Sequence, residues 1–357
     1  MRPSHLTVLA LLTAVSSSLG AQADSVPRAK FAVLPVLGSA PETGAQYGAT
    51  VLRVFRTGPI ASTRPSQLQL YAINTAEEQQ RAFVQLDRWG AGNATRTRVR
   101  GEWQRFPLPY FAEGGGNDEA HFTARGPELS LLQLWRAGSA QYRGVGLRVR
   151  DLRVSDIDLA DWRRAEAPDL VGSAAVTAQA VDLRDTRDHI LGPSAGSFRQ
   201  FTLGATRARD HAPGHRQRSS LRLAADLRRY DSLGSGVLAL RASGEVLAGT
   251  APFDLVPSAG SDTLLRGYVR GRVRDRFVGA AEAEFRSASW HRVGVAGFAG
   301  LGASHALSQR AGGMHLLPTV GAGVRYLLQP AERLTVRVDY ARGRHGGGLY
   351  VALGEAF

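Results

Sequence analysis

The chain has 357 residues, and 43% hydrophobic side chains exclude a disordered, highly charged polymer, while 41 glycines and 16 prolines are high for a helix-rich enzyme. Lys and Arg number 44 against 31 Asp and Glu, a formal charge of +13, and Lys30 is the one lysine. No cysteine is present, which removes disulfide frameworks, thiolate zinc sites and cysteine nucleophiles together.

Arg2 precedes an apolar run from Leu6 to Val15, and small residues follow as far as Ala21-Gln22-Ala23. That is the layout of a secretory signal with an A-x-A cleavage site, so residues 1–23 are expected to be a signal peptide and 24–357 a single mature domain. No later stretch offers the roughly 20 uninterrupted apolar residues of a membrane-spanning helix.

The mature chain has a period of two. Leu221, Leu223, Ala225 and Leu227 alternate with Arg222, Ala224, Asp226 and Arg228; Leu334, Val336, Val338 and Tyr340 alternate with Thr335, Arg337, Asp339 and Ala341. Each run reads as a strand with one apolar and one charged face. Cutting at turn signals gives strands near 30–39, 44–56, 66–75, 79–89, 95–106, 123–135, 140–154, 172–184, 196–209, 216–229, 235–248, 277–286, 291–304, 315–328, 331–343 and 347–357. In the segment 123–135, Leu131, Leu132 and Leu134 break the alternation. Connections after several odd strands are long (107–122, 155–171, 249–276, 305–314), and those after most even strands are short; 57–65 and 185–195 are too long for tight hairpins.

This pattern predicts an all-β fold, a transmembrane antiparallel β-barrel of about 16 strands with both termini on the periplasmic side. Hydrocarbon cannot satisfy open backbone groups, so the sheet must close, with Leu, Val and Ala toward lipid and the arginine-bearing faces toward the lumen. Sixteen strands enclose a lumen too wide for side chains to fill. The longest connection, 249–276, is the expected plug, an extracellular loop folded into the lumen.

Other motifs have simpler readings. Gly192-Pro193-Ser194-Ala195-Gly196 matches G-x-S-x-G, but a nucleophile elbow needs a helix after it and a strand follows here. His211 and His215 flank Ala212-Pro213-Gly214 and form no helical face for a metal. Gly297, Gly300 and Gly302 lack a βαβ unit around them. The arginines alternate through many strands instead of forming one patch, which argues against nucleic acid. No catalytic residue, cofactor or metal is expected.

Leu265-Arg266-Gly267-Tyr268, inside 249–276, resembles the V/L-R-G-F/Y signature in the sixth extracellular loop of the BamA/TamA superfamily of outer-membrane assembly barrels, the bacterial surface antigen type. Pro41-Glu42-Thr43-Gly44 is similar to the family's opening P-E-T-G element. Asp185-Thr186-Arg187-Asp188 with Pro193 and Gly196 looks like its D-x-R-D…P…G turn, and Gly354-Glu355-Ala356-Phe357 resembles its closing strand. The resemblance implies that Arg266, with Gly267 and Tyr268, folds into the lumen and that Arg266 pairs with carboxylates on the twelfth and thirteenth strands. The matching carboxylate is Glu284, with Glu282 two residues earlier on the same face. Phe298-Ala299-Gly300-Leu301-Gly302 stands where the family has F-x-D-x-G, so Gly300 replaces an acid and Glu282 is the candidate substitute.

The family's proposed mechanism uses the seam between first and last strands as a lateral gate. Gly346, Gly347 and Gly348 either weaken that seam or simply form the last extracellular turn. Phe357 is expected on the lipid face with Leu349, Val351 and Leu353, as the recognition end for the cell's assembly machinery or as an interfacial aromatic. Only residues 24–29 separate the expected cleavage site from the first strand, which leaves no place for the family's periplasmic POTRA domains. The resemblance implies a bacterial outer-membrane protein aiding insertion or translocation of client outer-membrane or secreted polypeptides, with outer-membrane lipid and a separately encoded periplasmic partner. The residues alone leave a second reading open: a passive pore or structural barrel in which arginine gives mild anion preference.

Overall fold

Alternation along the chain resolves into sixteen strands whose sheet closes on itself. A computed structural model describes residues 30–59, 62–111, 119–158, 170–305 and 314–357. The strands are β1 (Lys30–Ala40), β2 (Gly44–Phe55), β3 (Ser66–Thr75), β4 (Gln80–Trp89), β5 (Thr95–Phe111), β6 (Glu119–Gly138), β7 (Gln141–Asp158), β8 (Ser173–Asp185), β9 (Gly196–Asp210), β10 (Gln217–Leu233) and β11 (Gly236–Gly249). They continue through β12 (Ser258–Ala259), β13 (Val273–Arg274), β14 (Phe277–Arg286), β15 (Val293–His305), β16 (Met314–Gln329), β17 (Leu334–Gly343) and β18 (Gly346–Leu353). β12 and β13 pair only with each other, inside the connection from β11 to β14. The other sixteen form a closed antiparallel barrel in which each strand neighbours the next and β18 returns to β1. The expected signal peptide, residues 1–23, lies outside the described residues.

One face of each strand points outward and is apolar: Leu129, Leu131, Val145, Leu147, Leu203, Leu221 and Leu223 are all exposed. The alternate positions, among them Arg222, Asp226 and Arg228, line the interior and are partly or fully covered. Leu131, Leu132 and Leu134 break the dyad for a local reason. Leu131 faces outward, while Leu134 is fully buried inside with Trp89, Tyr142, Val181 and Leu183, and Leu132 packs against that cluster. A small apolar cluster therefore covers the inner wall there, which removes the polar signal from that part of β6.

Two expectations are corrected. Within the connection expected at 107–122 the described residues are strand, because β5 runs to Phe111 and β6 starts at Glu119, with Pro107 opposite Thr123 and Pro109 opposite His121. Prolines are tolerated in this strand since β4 pairs with β5 only as far as Arg105, so their missing N–H groups face an edge without a strand. The last strand, expected to run to residue 357, ends at Leu353. Gly354 takes a φ of +81° and donates its N–H to the Thr335 carbonyl at 2.7 Å, turning the tail inward.

That turn moves Phe357 off the lipid face. It is buried with Tyr230, Ala239 and Ala356, its carbonyl accepts from Arg286 Nη2 at 2.8 Å, and Arg241 and Arg286 lie over its ring. Glu355 pulls the tail in by accepting from Arg325 Nε at 2.9 Å and from Thr335 Oγ1 at 3.0 Å.

The same turn shortens the seam. β1 pairs with β2 along its whole length, from Lys30↔Val54 to Ala40↔Gly44, but with β18 through one registered pair, Ser39↔Val351. Gly346, Gly347 and Gly348 are not the turn, which is made by Arg344 and His345; they lie within β18 opposite Gly343, Arg342 and Ala341. A Cβ on Gly348 would sit 2.1 Å from a Pro41 ring carbon, so glycine is what lets the β1–β2 turn lean across the top of the seam.

This arrangement makes a cross-linking prediction in a chain with no native cysteine. Ser39→Cys/Val351→Cys is expected to form a disulfide readily under mild oxidation, read as a mobility shift on a non-reducing gel. Val33→Cys/Phe357→Cys, placed by the same register, is expected to form none. Equal cross-linking of both pairs would mean that the seam is fully zipped.

Candidate functional site: a lumen loop held by buried charge

The connection 250–276 enters the barrel and touches opposite walls. Near its start, Asp254 pairs with Arg150 of β7, Phe253 meets the Phe122 ring of β6 edge-on at 5.4 Å, and the Leu255 carbonyl accepts from Arg222 of β10. Its tip, Leu264 to Tyr268, packs against β14 to β18 on the far side, where Leu265 and Tyr268 join Val278, Ala280 and Leu317 in one apolar cluster.

Arg266 is 0% exposed at that tip. A guanidinium without water must find fixed acceptors, and two strands supply them. Its Nη2 donates to Glu284 of β14, and its Nη1 donates to Asp339 Oδ2 of β17 at 2.6 Å. The Phe298 ring of β15 lies 3.5 Å from the guanidinium carbon. The Arg266 carbonyl accepts from Thr319 of β16, the Gly267 N–H donates to Tyr350 Oη of β18 at 2.8 Å, and Tyr268 Oη donates to the Pro318 carbonyl at 2.8 Å. Three consecutive loop residues thus hold five strands.

Small wall residues create the space. One inward row runs Arg286, Ala296, Gly323, Asp339 and Tyr350 across β14 to β18, and the row above it begins Glu284, Phe298, Gly321. A Cβ on Gly323 would lie 2.0 Å from Asp339 Oδ1. Gly267 has a φ of +103°, and a Cβ there would strike the Arg342 carbonyl carbon at 2.8 Å, so no other residue fits this turn without displacement.

The carboxylates serve more than Arg266. Glu284 Oε1 also accepts from Arg286 Nε at 2.7 Å and Arg325 Nη2 at 3.3 Å; Asp339 accepts from Arg325 and, at 2.9 Å, from Arg337 Nη1. Arg337 Nη2 reaches back to the Asp262 carbonyl at 2.8 Å and carboxylate at 3.1 Å, on the loop itself. Arg266, Arg286, Arg325 and Arg337 are thereby matched by Glu284, Asp339, Glu355 and Asp262, and the cluster is neutral in formal charge.

The geometry gives Glu282 a different task from the one expected. It is not a ligand of Arg266; its Oε1 accepts the Leu265 N–H at 3.0 Å, and Leu265 has a φ of +53°, a conformation that needs such a hold. Gly300 has no room for an acid, since a Cβ there would already meet Glu282 Cγ at 2.9 Å and Thr319 Cγ2 at 3.0 Å. The second carboxylate comes instead from Asp339, which sequence reasoning missed. Its signal was present: Asp339 sits on the charged face of the Thr335–Arg337–Asp339 alternation.

At the opposite mouth, the described residues of the two long turns that did not fit short hairpins are held by side-chain contacts. Asp185 takes Arg187 bidentately at 2.9 and 3.0 Å, with Arg64 of the 57–65 turn at 3.7 Å. Asp188 accepts from the Ser194 and Ala195 N–H groups at 2.9 and 3.1 Å, from Ser194 Oγ at 2.6 Å, and from Arg333 Nη1 at 2.6 Å. Arg333 belongs to the β16–β17 turn, so this contact ties two distant parts of the rim. Ser194 is a turn organiser here: its hydroxyl faces Asp188 and Arg333, while His189 Nδ1 accepts from the Leu191 and Gly192 amides at 3.3 and 3.4 Å. His211 and His215 point apart, to Asp151 and to the Asp210 carbonyl. Burial alone would raise the Asp188 carboxyl, but the bonds from Ser194, Arg333 and the two amides outweigh it and hold the group well below the ordinary carboxylate value.

Two predictions follow from these contacts. Removing one partner of a buried ion pair costs about 3–5 kcal/mol, so Arg266→Ala, Glu284→Gln and Asp339→Asn are each expected to release the loop to trypsin at Arg270, Arg272 and Arg274. Glu282→Gln, which keeps an acceptor for Leu265, is expected to release it least; equal protection of Asp339→Asn and the unaltered protein would refute the role of Asp339. For Asp188, the folded carboxyl ionises below the unfolded value of about 3.9. Its contribution is then complete above that pH and fades as pH drops toward the lower folded value. The Tm difference between the unaltered protein and Asp188→Asn should be constant from about pH 7 to 5 and shrink only below about pH 4.

No family model and no curated protein matches this sequence. Solved structures do. BamA from Haemophilus ducreyi lacking POTRA domains 1–3 superposes with a TM-score of 0.63 at 12% identity, over 92% of this chain and 70% of that one. CdiB from Acinetobacter baumannii gives 0.56 at 10% identity, over 90% and 59% of the two chains, and CdiB from Escherichia coli gives 0.56 at 12%, over 90% and 63%. This chain thus spans about six-tenths of each CdiB. At these identities the likeness is one of fold: a sixteen-stranded barrel of the type seen in BamA and CdiB.

Proposed function

We propose that this chain is an integral barrel of the bacterial outer membrane that aids insertion or translocation of polypeptides there. The observation that carries the reading is the junction between first and last strands. One registered pair closes it, and the loop tip is fastened to β18 directly behind it through Gly267 and Tyr350. A seam that weak is a place where a sheet can open with little loss of backbone hydrogen bonding, and an edge so opened pairs with an incoming strand. The Arg266 cluster sets whether the loop stays docked while that happens. Lipid surrounds the apolar outer face, client outer-membrane or secreted polypeptides use the seam, and a separately encoded periplasmic partner delivers them. Residues 1–23 act as the export signal.

A passive pore is the competing reading, favoured by the arginines on the inner wall, where Arg96 and Arg98 share Asp87 and Arg81 and Arg100 share Glu102. Depletion of the protein separates the two. Assembly predicts lower steady-state levels of other outer-membrane proteins, measured by quantitative proteomics of isolated membranes; unchanged levels count against it. In planar bilayers the assembly reading expects a closed baseline in the unaltered protein that opens in Arg266→Ala, whereas large steady openings without the substitution favour a pore.

A further inference from the structure

The outer face carries a second arrangement that the lumen chemistry does not use. On β7, Arg143 and Arg153 both point outward and are ten residues apart (153 − 143), with Val145, Leu147 and Val149 exposed between them. On β9, Arg199 and Arg209 repeat this spacing (209 − 199 = 10), with Phe201 and Leu203 exposed between. Ten residues rising ~3.4 Å each on strands tilted ~40° span roughly 25 Å, the height of the apolar band of a membrane barrel. The two arginine levels therefore mark the two headgroup planes.

The levels differ in how their charge is met. At the short-turn end most of the charge is met: Asp182 takes Arg143 at 2.8 Å and Arg199 at 3.8 Å, and Asp231 takes Arg229 at 2.8 Å, which leaves Arg184, opposite Arg199, without a carboxylate among the described residues. At the long-loop end, Arg105, Arg125 and Arg153 stand directly opposite one another on β5, β6 and β7. Arg207 and Arg209 continue the band on β9, beside Val176 and Ala174. Among the described residues Arg125, Arg153 and Arg209 have no carboxylate partner. Arg207 bonds to Gln217 at 2.5 Å, Arg105 lies 3.9 Å from an exposed Glu78, and the carboxylate of Asp151 in these rows is occupied by His211 at 2.6 Å.

Like charges directly opposite on one face of a sheet destabilise it, so a row of three arginines calls for anions from outside the chain. We propose that Arg105, Arg125, Arg153, Arg207 and Arg209 form a docking surface for a glycolipid bearing two phosphates, held in the leaflet at the long-loop end of the barrel. The guanidinium fork matches phosphate oxygens bidentately, and two phosphates on one headgroup bridge neighbouring arginines where a zwitterionic headgroup does not. The exposed apolar side chains Leu129, Val149 and Val176, which share a cross-strand row with Arg207 and lie on the lipid side of Arg125 and Arg153, take the acyl chains. This goes beyond the proposed function and needs only that the barrel sits in a membrane.

The test uses the full-chain barrel, refolded in nonionic detergent, with folding checked by its heat-dependent shift on a gel and membrane insertion checked separately by flotation with phosphatidylethanolamine vesicles. Native mass spectrometry then titrates bis-phosphorylated lipid A, its dephosphorylated form, and phosphatidylglycerol. The unaltered protein is expected to bind bis-phosphorylated lipid A at least about tenfold more tightly than the other two, because both phosphates are paired. Arg125→Ser/Arg153→Ser/Arg209→Ser loses that preference, the corresponding lysine triple keeps most of it, and Arg143→Ser/Arg199→Ser leaves it within about twofold. Undiminished lipid A binding by the folded serine triple, or equal binding of phosphatidylglycerol, overturns the proposal. Failure to float with vesicles would instead sink the membrane reading itself.

Discussion

A guanidinium removed from water is the constraint around which the interior is built. Arg266 reaches the far wall of the lumen on a loop, and once there it requires acceptors that do not move. Glu284 and Asp339 provide them from strands that are not neighbours, and Arg286, Arg325 and Arg337 keep those two carboxylates from facing each other uncompensated. The result is a closed charge cluster in which the loop contributes one cation and one anion. Replacing any member leaves its partners short of a charge in a region of low dielectric, so the cluster acts as a unit.

That cluster reaches the seam. Glu355, in the tail beyond β18, is held by Arg286 and Arg325, the same arginines that hold Glu284. The tail is drawn inward by this attraction, and β18 loses the residues that would have paired with the lower part of β1. Seam length and loop docking therefore share a cause: both depend on how the acidic groups around Arg325 are distributed. The packing of Phe357 against Tyr230 and Ala239 completes the tail's position inside.

The outer face follows the same rule from the other direction. Charges that point away from the lumen sit at the two edges of the apolar band, where water or lipid headgroups reach them, and the band between them is Leu, Val and Phe. A cylinder with charge inside, oil outside and charge at both rims is the arrangement that membrane and water together demand of a closed sheet.

Much of this was legible in the sequence. Period-two alternation and turn spacing located all sixteen barrel strands, because each strand's faces meet two different solvents and the side chains record which is which. The plug loop and Arg266 were legible through Leu265-Arg266-Gly267-Tyr268, and Glu284 through its place on the inward face of β14. Asp339 was not singled out, because the choice among many inward-facing acids depends on which strands the loop tip meets across the lumen, a distance that spacing along the chain does not encode. The inward turn of Phe357 had the same origin: alternation continued through Leu353 and pointed outward, and only the three-dimensional proximity of Glu355 to Arg286 and Arg325 reversed it. The extension of β5 to Phe111 was not legible, because Pro107 and Pro109 fit a strand only where the adjacent β4 is too short to need their hydrogen bonds. Local pattern determined the sheet, its closure and its faces, since these follow from solvent on either side of each strand; contacts between residues far apart in the chain decided the charge cluster, the tail and the length of the seam.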